Sequence, residues 1–393
     1  MKRFNASLSD IRQDIAGDLP LDLILLWNQQ EKSEALHSEM LSPYLFEGII
    51  ACSDSAGLSK LSQKYTLPEV MKLVSEPKEL LHAYGKAIGG EAIGIWAADN
   101  TQIVYKDIAV DTAVRQMLRL QIDAKELTVK IGLGMHFGKA YKIGGGLFGH
   151  DASHIEEIAE DHSSGGELLI TKELYSMLSL DVAKYFTKKE DSENYSATEV
   201  NDEIHFKPGN DTSYPYPFDT TFFSLLKENS LESLSQMSLD EYREEKACVL
   251  ISVKHEEYDF LLDYFTACLV AESVIAKAAE RYNGTMVKSN GALGIFLFTD
   301  DANAVAFAKE AFVNLQTEGF ISHIGISRGE VLLFPLKNGG LEISGNPVNI
   351  ASKLAEDSGL EGICVHNTIT LEAPESSPFE ITCSGVILSG IHL

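Results

Sequence analysis

The sequence predicts an α+β protein made of two diverged copies of one unit, each a sheet with helices on one face in the order β-α-β-β-α-β. Three echoes carry that prediction. VKIGLGMHFGKAY (129–141) is echoed by SHIGISRGEVL (322–332), which sets Ile131 and Ile324 193 residues apart (324 − 131). AYGKAIGGEAIGIWAADN (83–100) is echoed by AERYNGTMVKSNGALGIF (279–296), with Gly90 and Gly284 194 apart (284 − 90). GELLITKELYSML (166–178) is echoed by EGICVHNTITL (361–371). Three matches in one order and at nearly one offset mean a duplication.

Each element of the unit has its own signal. An apolar strand opens each copy, LFEGIIAC (45–52) and ACVLISV (247–253), and a helix follows. Two strands around a tight turn come next, then an amphipathic helix, IAVDTAVRQMLRLQI in one copy and ANAVAFAKEAFVNLQ in the other. A further strand completes the ferredoxin-like core. Behind it in the second copy, GNPVNIASKL (345–354) starts a helix, with Asn346 placed as N-cap and Pro347 at the first helical position. The expected organisation is an N-terminal extension over 1–40, a first domain over 41–186, a connection over 187–245 and a second domain over 246–393. The run EDSENYSATEVNDE is the least structured part of that connection.

Composition restricts the partners. With 32 basic against 58 acidic residues the formal net charge is −26, which argues against nucleic acid and anionic membranes, since both need a positive footprint. A polyphosphate ligand must be met by local lysines, metal ions or both. The longest apolar run near the N-terminus, LDLILLW (21–27), is far shorter than the roughly 20 residues of a membrane span. The 5 cysteines form no C-x-x-C pair, which suits reduced thiols and a cytoplasmic location.

VNIASKL behind Gly345, the strands around MVKSNGALGIF, and SDSAGLSKLS after the first strand resemble the class III nucleotidyl cyclases. The tandem arrangement, IRQDIAGDLPLDLIL and PFDTTFF look most like the catalytic half of soluble adenylyl cyclases. The resemblance implies two cyclase homology domains packed as a pseudo-twofold heterodimer within one chain, hence a monomer. One site between them would convert ATP to 3′,5′-cyclic AMP and pyrophosphate with two Mg²⁺ or Mn²⁺ ions. It places metals on Asp54 and Asp99, base recognition on Lys288 and Glu342, a ribose-orienting role on Asn349, and transition-state charge on Lys353. The same resemblance sets Val253 opposite Asp54, Ser153 opposite Asn349 and Glu157 near the place of Lys353, so each copy keeps only half of the machinery.

The match departs from the family pattern in several places. An ungapped count puts Ala98 rather than Asp99 at the second metal position, and a one-residue insertion in the turn AADN restores Asp99 and aligns Tyr105. Lys353 stands for an Arg, a point charge in place of a bidentate fork. Glu342 stands for an Asp, which suits ATP and does not exclude GTP. Bicarbonate-responsive relatives carry basic residues where this chain has Gly94 and Glu156. His150 and His154 have i, i+4 spacing suited to Zn²⁺ but no third ligand in the sequence, and a polar helix face is the plainer reading. IGGEAIGI (88–95) lacks the acidic residue of a diguanylate cyclase signature. Taken singly, Asp54 reads as a strand-end carboxylate and Lys288 as an edge charge. The rival from another class is a catalytically degenerate pseudo-cyclase serving as a regulatory or scaffolding module.

Overall fold

The computed structural model describes residues 19–55, 61, 64–93, 101–190, 192–197, 204, 220–237, 240–255, 258–335, 341–371, 377–383 and 386–393. Two short helices, α1 (Leu21–Trp27) and α2 (Glu34–Leu41), precede the first sheet. That half contains β1 (Leu45–Ser55), α3 (Leu67–Ala87), β2 (Glu91–Ile93), β3 (Thr101–Tyr105), α4 (Val110–Ala124), β4 (Ile131–Ile143), β5 (Gly146–Phe148), α5 (His150–Glu157) and β6 (Leu168–Ile170). Helices α6 (Lys172–Ser176) and α7 (Leu180–Ala183) lead to β7 (Thr187–Lys188) and β8 (Tyr195–Ala197), so part of the stretch expected as connection is paired into the first sheet. Helices α8 (Thr220–Glu228) and α9 (Leu231–Gln236) lie between the halves.

The second half repeats the series: β9 (Arg243–Lys254), α10 (Leu261–Arg281), β10 (Thr285–Ser289), β11 (Leu293–Phe298), α11 (Asp301–Thr317), β12 (Ile321–Pro335), β13 (Leu341–Ser344), α12 (Asn346–Ser352), β14 (Gly362–His366), β15 (Ser377–Cys383) and β16 (Val386–His392). The sheets have the same strand order, β2-β3-β1-β4-β6-β8-β7 and β10-β11-β9-β12-β14-β16-β15. This is the expected ferredoxin-like α+β unit, twice, with extra strands at one edge. One face of each sheet packs on its two long helices, as where Val249, Ile251 and Phe296 meet Ala271, Ile275 and Phe307.

The sheet registers refine the alignment of the copies. β1 pairs with β4 through Gly48↔Gly138 and Cys52↔Gly134, while β9 pairs with β12 through Lys246↔Gly329 and Leu250↔Gly325. Gly134 therefore matches Gly325, 191 apart (325 − 134), and the pairing of Ile131 with Ile324 is off by two. A slip of two preserves the inside–outside alternation, so the apolar pattern cannot detect it. The partner of Asp54 by the same ladders is Ser252, not Val253. The Gly90–Gly284 match holds physically. A Cβ on Gly90 would lie 2.6 Å from Tyr105 Cε1, and one on Gly284 would lie 2.5 Å from Phe298 Cζ. In both copies an absent side chain makes room for the ring that ends the neighbouring hairpin.

The halves meet through reciprocal surfaces. Phe265 of α10 packs in one cluster with Tyr141 and Ile143 of the first half, and Met71 of α3 packs in another with Leu332 and Phe334 of the second. Phe265 and Met71 are equivalent positions, as are Tyr141 and Leu332, which is the pseudo-twofold relation. Each seam is also filled by a segment from outside the repeat. Ile24, Trp27 and Leu41 enter the first seam, and Leu226 and Leu234 enter the second.

Candidate functional site

Lys288 lies near the end of β10 and Glu342 on β13, and the structure brings them together: Lys288 Nζ is 2.7 Å from Glu342 Oε1. The two side chains are only 15% and 9% exposed. Glu342 also accepts the Ile343 backbone N–H at 2.9 Å. Val287 and Ile343, their chain neighbours, belong to one apolar cluster, and the low exposure of the pair holds it in a low dielectric where both geometry and charge count strongly.

The local backbone explains why Lys288 faces this way. β10 pairs with β11 through Met286↔Phe296 and then Lys288↔Ile295, leaving Val287 as the extra residue of a bulge. Val287 and Lys288 therefore share a face, and Ser289 turns back toward α10. In the first half the regular ladder Ala92↔Ile103, Ile93↔Gln102 sets Ile93 at the place of Lys288, where the 194-residue offset of Gly90 and Gly284 would put Gly94 (288 − 194). Ile93 is buried in the core, and the counterpart of Glu342 by the β5 and β13 ladders is Gly146. The charged pair is thus confined to the second half.

Helix α12 begins at Asn346, with Gly345 as its N-cap in a left-handed conformation (φ 149°), one residue earlier than the sequence expectation. The Asn346 side chain makes no capping bond, because the chain enters from β13 through a turn that Gly345 supplies. The first half does the same with Gly149 (φ 115°) before α5, and both helices run on into a π-turn, Ile158–His162 and Lys353–Asp357. This equivalence puts Ser153 opposite Asn349 and Glu157 opposite Lys353. Asn349 is exposed on α12. Lys353 is mostly covered, and its ammonium lies 3.7 Å from Asp357 Oδ2 along its own helix.

Asp54 sits at the end of β1, half-buried and opposite Gly132. Asp99 and its competitor Ala98 lie outside the described residues, as does Gly94. Residues Ile93 and Gln102 are joined by a connection two longer than that between Lys288 and Ile295 (102 − 93 against 295 − 288). Glu156 is held by the Gln102 amide, and burial, reinforced by Glu160, lifts its carboxyl to about 7. His150 and His154 are joined by two residues that the sequence did not link to them. Asp151 is 3.2 Å from His150 Nδ1, and His136 Nε2 is 3.5 Å from Asp151 Oδ2. Even so, no group of three or more His, Cys, Asp or Glu side chains converges to hold a metal ion among the described residues.

One buried group escaped the sequence reading. Glu272 on α10 has no exposure, and its carboxyl accepts the Ser289 hydroxyl, one residue from Lys288. Its signal was present as a lone carboxylate in the apolar run ACLVAESVIAKAA.

Two such sheets joined across reciprocal seams define a class III nucleotidyl cyclase-like fold. A class III adenylyl cyclase-like ATP-binding protein from Pseudomonas aeruginosa matches over 82% of this chain and 84% of its own, with a TM-score of 0.52 and 11% identity. The guanylyl cyclase Cya2 matches over 38% of this chain and 92% of its own (TM-score 0.34, 16% identity). The guanylate cyclase domain of RhGC from Catenaria anguillulae, in complex with GTP, matches over 39% and 94% (TM-score 0.32, 15% identity). No protein-family model matches the chain, and no curated protein sequence does. Among the described residues no helix is long and apolar enough to cross a membrane.

Proposed function

We propose that the chain binds ATP through the Lys288–Glu342 pair and cyclises it to 3′,5′-cyclic AMP and pyrophosphate. The pair is the observation that carries this reading. Adenine presents an acceptor, N1, beside a donor, the N6 amino group, and a fixed ammonium beside a fixed carboxylate is complementary to that edge. Burial of both side chains makes a mismatched base costly, because its own donors and acceptors would be desolvated against groups that do not complement them. A cyclase-like ATP-binding protein with the same two-domain fold lends further support. Guanine, with its own donors and acceptor, is the competitor to test.

In the reaction the ribose 3′-oxygen bonds to the α-phosphorus, the bond from that phosphorus to the bridging oxygen breaks, and pyrophosphate leaves with the electron pair. The 3′-hydroxyl proton passes to solvent. Asn349 would hold the ribose by its amide, and Lys353 would offset charge on the α-phosphoryl oxygens. Asp54, the described member of the expected carboxylate pair, is by itself too few donors for two ions. A requirement for Mg²⁺ or Mn²⁺ is a part of the proposal that product analysis tests directly.

The Lys353–Asp357 contact favours a second reading, ATP binding without turnover, since the ammonium is engaged on its own helix. Incubating the protein with ATP or GTP and either metal, beside Asp54→Ala and Lys288→Ala, separates the two. Cyclic nucleotide and pyrophosphate from the wild type alone establish the enzyme. ATP binding that Lys288→Ala abolishes, with no product under any metal, establishes the binding module. Absence of both overturns the proposal.

A further inference from the structure

We infer that Glu272 is the positioning residue for Lys288, fixing from behind the sheet the register that turns the ammonium toward Glu342. The inference rests on the reading of Lys288 as the base-contacting group. Successive residues of a strand face opposite sides, and a bulge breaks that alternation at one point. Here the break falls at Val287, immediately before Lys288. A one-residue slip of the ladder beyond Met286 would pair Val287 with Ile295 and turn Lys288 onto the α10 face. Something must hold the strand against that slip.

Glu272 is placed to do so. It is fully buried on α10, and Ser289, itself 3% exposed, donates its hydroxyl to Glu272 Oε2. The turn beyond Ser289 is pressed onto the same helix, since a Cβ on Gly291 (φ 78°) would lie 1.9 Å from the Cys268 carbonyl oxygen. His255 Nε2 meets the Gly291 carbonyl at 3.2 Å, and Asn290 Oδ1 accepts the Ala292 N–H at 2.8 Å. Ser289 is the attachment nearest to Lys288, and it exists only in the bulged register. Glu272 Oε1 has no hydrogen-bonding partner among the described residues, so this carboxyl is retained at the cost of an unsatisfied buried acceptor.

The test is the preference for ATP over inorganic tripolyphosphate, measured by calorimetry on the full chain, because tripolyphosphate lacks the base that Lys288 reads. Lys288→Ala, Glu272→Leu, Glu272→Gln and Ser289→Ala are compared with the wild type, each checked for folding by circular dichroism. Glu272→Leu should reduce the preference about tenfold, the scale of one lost buried hydrogen bond, while Glu272→Gln, which can still accept from Ser289, restores it. Ser289→Ala should show a reduction in the same direction, and it decides the matter if Glu272→Leu does not fold. Loss of preference in Lys288→Ala with none in Glu272→Leu or Ser289→Ala overturns the inference alone. No loss in Lys288→Ala overturns the base-reading proposal and this inference together.

Discussion

Lys288 and Glu342 approach to 2.7 Å from two strands that are not neighbours in sequence, and both side chains are largely buried. Removing one partner should cost about 3–5 kcal/mol of stability, because a charge is left buried, whereas replacing both with apolar residues of like size should be close to neutral. Lys288→Ala and Glu342→Ala should therefore unfold at much lower urea than Lys288→Met/Glu342→Leu. The double variant should still fail to bind ATP. Equal destabilisation in all three would contradict a buried pair.

Stability should fall with pH on account of Glu272. Burial raises its carboxyl from the ordinary 4.5 to about 8. A raised acid keeps its proton longer folded than unfolded, so the unfolded chain ionises first. Stability is accordingly lost as pH rises from about 4.5 to about 8 and levels off above it. Denaturation midpoints across that window should slope downward in the wild type and less so in Glu272→Gln. An unchanged slope would mean that Glu272 ionises normally.

Lys353 is tied to Asp357 across 3.7 Å, with Asp357 about half exposed, so the tie is worth only a few tenths of a kcal/mol. Asp357→Asn should release the ammonium for phosphate and tighten ATP binding by about twofold. Lys353→Ala should weaken it and flatten its salt dependence. Calorimetry at two ionic strengths reads both.

Gly90→Ala and Gly284→Ala should each cost about 1–3 kcal/mol, since the new methyl meets a fully buried ring in either half. Matching losses in denaturant midpoint would report the equivalence of the two positions. A neutral Gly284→Ala would show that Phe298 can move.

Trp27→Ala should cost about 3–5 kcal/mol. Trp27 is fully buried between the halves and donates its indole N–H to Asp263 of α10 at 2.8 Å, so α1 is part of the fold. Loss of the cooperative transition as well as of midpoint would identify the seam as what couples the halves.

The duplication, the β-α-β-β-α-β order and the Gly90–Gly284 match were all legible in the sequence. Each depends on periodicity or on a glycine that a ring requires. Misalignment arose where the pattern is blind. Ile131 was matched two residues away from its true counterpart, since a two-residue slip leaves every side chain on the same face. Val253 replaced Ser252, and the Gly90–Gly284 offset would put Gly94 in place of Ile93, because counting along the chain cannot see differences in ladder register or a bulge. Asn346 carried the statistics of an N-cap, but the approach from β13 assigned that place to Gly345. Glu272 was overlooked for a different reason: a carboxylate inside an apolar helix looks like an exposed residue until the hairpin above it is known. Of the proposed site, the Lys288–Glu342 partnership was readable as two residues with related tasks, and their direct contact was not.

The bulge at Val287 also bears on how the two halves came to differ. From Gly90 and Gly284 onward the copies run in step for two residues, and then one has an extra member before Lys288 reaches the place that Ile93 fills. What separates a strand that completes a core from one that offers a cation is, at this position, a single codon of length together with the identity of one side chain. Divergence of the duplicated gene needed an insertion or a deletion there, an event that comparison of the copies by residue type alone does not register.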